Sequence, residues 1–341
     1  MNVSTSIKNQ RGQYTILKDL SRDHHCLVRR EVDDAFLIAS LFDLGAKPET
    51  RYLAAIMGRE WGPEMVNNLL NHENLISVAG GMVDFEVSSD VEGRCFLLWD
   101  CCDAGSLDNM LQHPPVAPTD TGFLPESLCW HVLLSVLRAL CWLHEGQRVD
   151  WSFDQTGNSD PFSGSGRSDA EEDEMKVRYT TTSYYTERIP WIPIQHGSIS
   201  PANIHFQYPR RSETYGPCKL GNLEHCVVGH DISNDEPDLV ALGRVLWRMM
   251  TGGHERLWNR CTYTHSWFRL DGCSDCGSAS GPSGEEPNDY TRGLKLVVLT
   301  LLNSATFGTT TEECMVKALR AYSAWRKDSP DGQLYSDIND R

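Results

Sequence analysis

At 341 residues, with 40% hydrophobic residues and a formal net charge of −16, the chain can bury one large core or two modest ones. Its acid excess argues against a nucleic-acid groove or an anionic membrane surface as partner. No run of eighteen or more apolar residues occurs, and the polar stretch 1–10 lacks the apolar segment of a secretory signal. The twelve cysteines are scattered, mostly in apolar runs, so the expectation is reduced thiols in an intracellular protein, cytoplasmic or nuclear.

A polar lead over 1–14 precedes predicted strands at 14–20, 27–32 and 35–41, with Asp33-Asp34 as the turn between the last two. Segments 51–58 and 63–70 read as helices, followed by Asn71-His72-Glu73-Asn74-Leu75-Ile76. Strands at 78–87 and 95–99 form an expected antiparallel pair. Then comes Trp99-Asp100-Cys101-Cys102-Asp103-Ala104-Gly105-Ser106-Leu107, where Ser106 can cap a short helix over 107–111. Residues 124–144 give the strongest helical pattern, with Leu128, Val132, Val136, Leu140 and Leu143 at helical spacing. Residues 155–174 are rich in Ser, Gly, Asp and Glu, and include Asp169-Ala170-Glu171-Glu172-Asp173-Glu174. They read as a disordered insertion, and 177–185 as a candidate edge strand. Gly252 fits a helix C-cap. Residues 253–290 are loop-rich. Helices at 290–303 and 310–326 close the chain, the second with a Thr309–Thr311 cap and Glu312-Glu313 in its first turn. The tail from Asp328 is polar and expected to fray.

The central stretch is Ile194-Gln195-His196-Gly197-Ser198-Ile199-Ser200-Pro201-Ala202-Asn203-Ile204-His205-Phe206. It resembles the catalytic loop of protein kinases, with His196, Pro201, Asn203 and Ile204 in matching positions. The 99–107 stretch is similar to the kinase hinge, with Trp99 at the gatekeeper position. Trp142-Leu143-His144 resembles the end of kinase helix E, and the 71–76 run the segment after helix C. Residues 238–252 look like helix F, down to the terminal Thr-Gly. The resemblance implies an α+β, two-lobed protein-kinase-like fold. A small antiparallel sheet lobe would span 1–100 and a mainly helical lobe 101–327, with the acidic insertion near 146–190 and a polar tail at 328–341. It also implies that Asp238 accepts hydrogen bonds from the loop backbone.

The departures fall where a kinase does chemistry. The loop's arginine, aspartate base and lysine are replaced by Gly197, Ser198 and Ser200. Ser40 stands where the phosphate-pairing lysine belongs, and Ile38 where a small residue roofs the adenine. The 21–25 turn has no glycine to close over phosphates, and its Asp23 would repel them. Asn222-Leu223-Glu224 takes the place of Asp-Phe-Gly, and Asn222 is a neutral, weaker magnesium ligand. The helix-C glutamate position falls near Pro63, with Glu60 and Glu64 beside it. No Ala-Pro-Glu ending fits before 238, and 307–309 lacks the arginine that pairs with it.

Phosphoryl transfer rests on positioning and charge stabilisation, and most of the groups that supply them are replaced. The expectation is a catalytically inactive pseudokinase that binds or regulates an unknown protein partner, with no nucleic acid and no membrane. No catalytic residue and no cofactor are expected. Ile38, Trp99, Cys101 and His205 line a degenerate cleft. The alternative is a divergent active protein kinase of serine/threonine type, using ATP and magnesium through Glu224 or Asp231. Two further readings are weighed. Ser198 or Ser200 with His196 could form a hydrolytic pair, against an inward-packed structural histidine. Cys273 and Cys276, near Cys261, His254 and His265, could hold zinc, but the second Cys-x-x-Cys pair is missing.

Overall fold

The computed structural model describes residues 6–9, 12–20, 25–43, 72–84, 94–112, 124–153, 177–183, 191, 193–223, 226–228, 237–252 and 290–335. The fold is α+β. Six strands build one antiparallel sheet: β1 (Ser6–Asn9), β2 (Gly12–Asp19), β3 (His25–Arg30), β4 (Phe36–Asp43), β5 (Val78–Asp84) and β6 (Arg94–Asp100). Their order is β1-β2-β3-β4-β6-β5. The two edge strands come back into contact, so the sheet is strongly curled.

Period-two alternation gives this sheet two faces with different duties. Leu37 and Ala39 point one way and join Tyr14, Val28 and Leu98 in a small core of the sheet's own. Ile38 points the other way, opposite Trp99 on β6; Trp99 belongs to the main core and the half-buried Ile38 packs against it.

That main core is built around α2 (Glu126–Glu145). Every side chain from Leu128 to Leu143 is buried. By length and composition the helix could cross a membrane, but here 89% of its apolar window is covered by the rest of the chain. Its buried cation is matched on several sides. Arg138 donates to Val149 O (3.0 Å) and Asn74 Oδ1 (3.3 Å), pairs with Glu73 and Asp150, and lies over the Trp151 ring at 5.0 Å. A buried cation is tolerable only with such partners. Gly146 ends the helix at φ 65°, in the left-handed region where glycine carries no steric penalty.

The elements around α2 follow in chain order. β7 (Gly105–Ser106) leads into α1 (Leu107–Gln112). β8 (Gln147–Phe153) and β9 (Val177–Ser183) form a two-stranded ribbon. The flanks of the expected insertion are therefore ordered strands, and 154–176 lie outside the described residues. Among those described, β9 pairs with β8 alone rather than with the edge of a larger sheet. β10 (Ile194–Gln195) pairs with β13 (Val227–Val228), and β11 (Ile204–Phe206) lies between β7 and β12 (Cys218–Leu220). α3 (Asp238–Thr251), α4 (Arg292–Leu302), the short α5 (Ser304–Phe307) and α6 (Thr311–Asp328) complete the helical part. Thr310 and Glu313 form a reciprocal capping box on α6, within the expected cap.

The tail departs from expectation. Pro330–Leu334 forms α7, and Tyr335 is only 3% exposed. Its ring lies against Tyr322, Trp325 and Tyr215, and its hydroxyl is 2.9 Å from His131 Nδ1. One aromatic anchor outweighs the polar composition around it. The helices expected at 51–58 and 63–70 and the turn at 21–24 lie outside the described residues.

Candidate functional site

The 196–203 loop is held at one end by a buried carboxylate. Asp238, the first residue of α3, is 2% exposed. Its Oδ2 accepts the His196 amide (2.7 Å) and its Oδ1 the Gly197 amide (2.8 Å). This is the arrangement expected of Asp238. His144 Nε2 adds a third contact at 2.9 Å, while its Nδ1 faces Thr311 Oγ1 at 2.7 Å. Burial alone would raise the Asp238 pKa. The hydrogen bonds from His144 and the Gly197 amide override it and hold the carboxyl below its ordinary value. Gly197 sits at φ 68°, so the chain can turn both amides toward one carboxylate.

His196 is fully buried. Ser198 N–H donates to its Nδ1 (3.3 Å), and its Nε2 lies 2.7 Å from Gly221 O. An amide can only donate and a carbonyl only accept, so the ring carries its hydrogen on Nε2. Neither nitrogen is left to draw a proton from Ser198 or Ser200, so the hydrolytic pair fails on geometry.

At the other end of the loop three neutral side chains converge. Asn203 Nδ2 donates to Ser198 Oγ (3.0 Å) and Ser198 O (2.6 Å), and Asn222 Nδ2 donates to Ser198 Oγ (3.2 Å). The convergence follows from local structure. Pro201–Asn203 is a single 3₁₀ turn, β11 then pairs with β12 in the register Ile204↔Leu220, and Gly221 N donates to Asn203 O (2.8 Å). Asn222 sits at φ 64°, a conformation that asparagine adopts more readily than most residues. Ser200 stays outside the trio, its carbonyl accepting the Asn203 amide within the turn.

The face of the sheet that meets the main core carries Ile38, Ser40 and Trp99. Ser40 and Trp99 are both buried, and Ser40 Oγ and Trp99 Nε1 have no hydrogen-bond partner among the described residues. Trp99 is 6% exposed and packs in the same cluster as α2, with Ile38 and Ile76 against it. On the floor, a Cβ placed on Gly221 would meet Ile76 Cδ1 at 2.5 Å and His205 Cδ2 at 3.0 Å. The His205 ring and Ile76 therefore close down over this glycine. In the 100–103 connection burial, then Asp103 and Asp100, raise the Cys101 thiol, and burial pushes Cys102 up to about 12. Both are held as thiols rather than thiolates.

Two side chains at this site escaped the sequence reading. Lys219 on β12 is only 8% exposed, and its Nζ lies 3.1 Å from Asp100 Oδ2. Its signal was there: between Cys218 and Leu220, strand alternation sets it on the face away from the core. His144 reads from sequence only as the end of a helix. Glu60, Glu64, Glu224, Asp231, His254, Cys261, His265, Cys273 and Cys276 lie outside the described residues. Among those described, no three His, Cys, Asp or Glu side chains gather as a metal site.

No protein-family model matches this chain, and no curated protein matches it in sequence.

Proposed function

We propose that the chain is a two-lobed protein-kinase-like domain without phosphotransfer activity, a pseudokinase that works by binding a protein partner. The sheet β1–β6 corresponds to the small lobe, and α1–α6 with the β7–β13 strands to the large one. One observation carries the reading: Ser198, Asn203 and Asn222 meet where the resemblance expects a catalytic aspartate and two magnesium ligands, and they satisfy each other. The three bring no negative charge, and both amide nitrogens point at Ser198. Magnesium prefers carboxylate oxygens in a near-octahedral set, so this trio does not fit it. Ser40 offers a hydroxyl in place of an ammonium for phosphate. Trp99 and Ile38 join sheet and helical part in one apolar cluster where an adenine would slide in.

The test is thermal unfolding with and without millimolar Mg-ATP. A ligand that binds the native state must raise Tm, so no shift is expected. A clear rise, or incorporation of labelled phosphate into a generic acceptor above a buffer blank, would overturn the reading. The divergent active kinase using Glu224 or Asp231 would then take its place.

A further inference from the structure

A kinase-like pair of lobes ordinarily turns about its connecting segment. Here that segment is bracketed on both sides. Asp100 is the last residue of β6, and its carboxylate holds Lys219 of β12, at 3.1 Å and largely out of water. Two residues before β5, the chain is already bound into the helical part. Asn74 O accepts the Leu220 amide (2.8 Å), Ile76 N donates to Leu220 O (3.0 Å), and Leu75 bridges Leu220 in parallel. Asn74 Nδ2 donates to Cys218 O (3.0 Å), and Arg138 of α2 holds its Oδ1. Ser77 O then accepts the Asp100 amide (3.0 Å), tying this strip back to the end of β6. Past the connection, the Ala104 amide donates to Phe206 O (3.1 Å).

The geometry points to a clasp: the Asp100–Lys219 ion pair and the 74–77 strip fix the sheet and the helical part at one angle. The module then presents one rigid surface to its partner rather than opening and closing. A hinge needs a few backbone positions free to change φ and ψ. Here the residues on both sides of 101–103 are tied by bonds to β11, β12 or the 74–77 strip. The inference rests on the two-lobed reading proposed above but concerns mobility alone, so it can fail while the absence of nucleotide binding stands.

Native-state hydrogen exchange on the intact chain, over a series of low urea concentrations, decides it. The amides of Ile76, Asp100 and Ala104 should exchange only with global unfolding, their rates rising with urea as steeply as those of α2. Exchange of these amides that is faster than α2 and insensitive to urea would mean free local opening, and would sink the clasp. Lys219→Met should raise exchange at Asp100 and Ile76 roughly tenfold relative to α2, the loss of one charge-assisted bond. Asp100→Asn on top of it should add little. Unchanged exchange in Lys219→Met would remove the ion pair from the clasp. Should that variant fail to fold, the urea series on the unaltered chain still separates a rigid clasp from a free hinge.

Discussion

The two ends of the 196–203 loop solve the same problem in opposite ways. At the α3 end a full charge is kept inside the protein, because Asp238 receives two backbone amides and His144. At the cleft end no charge stands at 198, 203 or 222, and a hydroxyl and two amides close on one another. The difference shows what each end is for. A carboxylate satisfied by the protein's own donors needs nothing from outside. Two carboxylates at 198 and 222, within hydrogen-bond reach of each other's position, would repel unless a cation sat between them. The loop holds one charge that supports its shape at the α3 end, and 198, 203 and 222 at the other end carry none.

The sharpest way to break that contrast is Asp238→Ala. It leaves the His196 and Gly197 amides without their acceptor in a buried place. The expected loss is about 3–5 kcal/mol in urea unfolding, enough to exhaust much of an ordinary domain's stability. Asp238→Asn keeps one acceptor oxygen and should lose less. A loss below about 1 kcal/mol for the alanine variant would show that the anchor is dispensable.

A second test uses pH and a buried histidine. His72 is buried with its Nδ1 accepting the Asn74 amide, and its ring stacks on Trp142. Burial first, with Arg138, Arg148 and Lys219 nearby, lowers its pKa to about 4 against the pull of Glu73. The folded state therefore prefers the neutral ring. Above pH 6.5 both states are neutral and the full stability is present. Between pH 6.5 and about 4 the unfolded chain takes up a proton that the native chain refuses, and stability falls by on the order of 3 kcal/mol. Glu126 and Glu145, both raised mainly by burial, oppose this trend as they protonate. The clean readout is thus the difference between the unaltered chain and His72→Gln. The variant should lose less stability from pH 7 to pH 5, and equal slopes would rule out His72 as the source.

Much of this architecture was legible in the residues. Local patterning marked β2–β6, α2 and α6, a likeness to a family motif marked α3, and Gly252 and Thr310 marked helix ends, because local chemistry governs caps and repeats. The convergence of Ser198, Asn203 and Asn222 was readable only as a likeness of spacing, since it depends on the β11–β12 register. Tyr335 was missed for a related reason. A polar tail gives no periodic signal, and one ring finding an aromatic nest on α2 and α6 is a tertiary event. Lys219 and Asp100 were visible as letters but not as a pair, for 119 residues separate them.

The smallest expected effect lies at the cleft end. Ser198→Ala removes one acceptor shared by two amide groups, but the site is only part-buried and water can replace it. Asn203 Nδ2 also keeps the Ser198 carbonyl. The loss should be no more than about 1 kcal/mol, several-fold below that of Asp238→Ala. Ser198→Asp sharpens the point, because a carboxylate there can accept from the same two amides and the fold should hold. Under the proposed reading it supplies a base position but neither an acid at 222 nor a lysine at 40, so Mg-ATP should still leave Tm unmoved. A magnesium-dependent rise in that variant would mean that one missing charge, rather than the closed trio and the Trp99 cluster together, had kept nucleotide out.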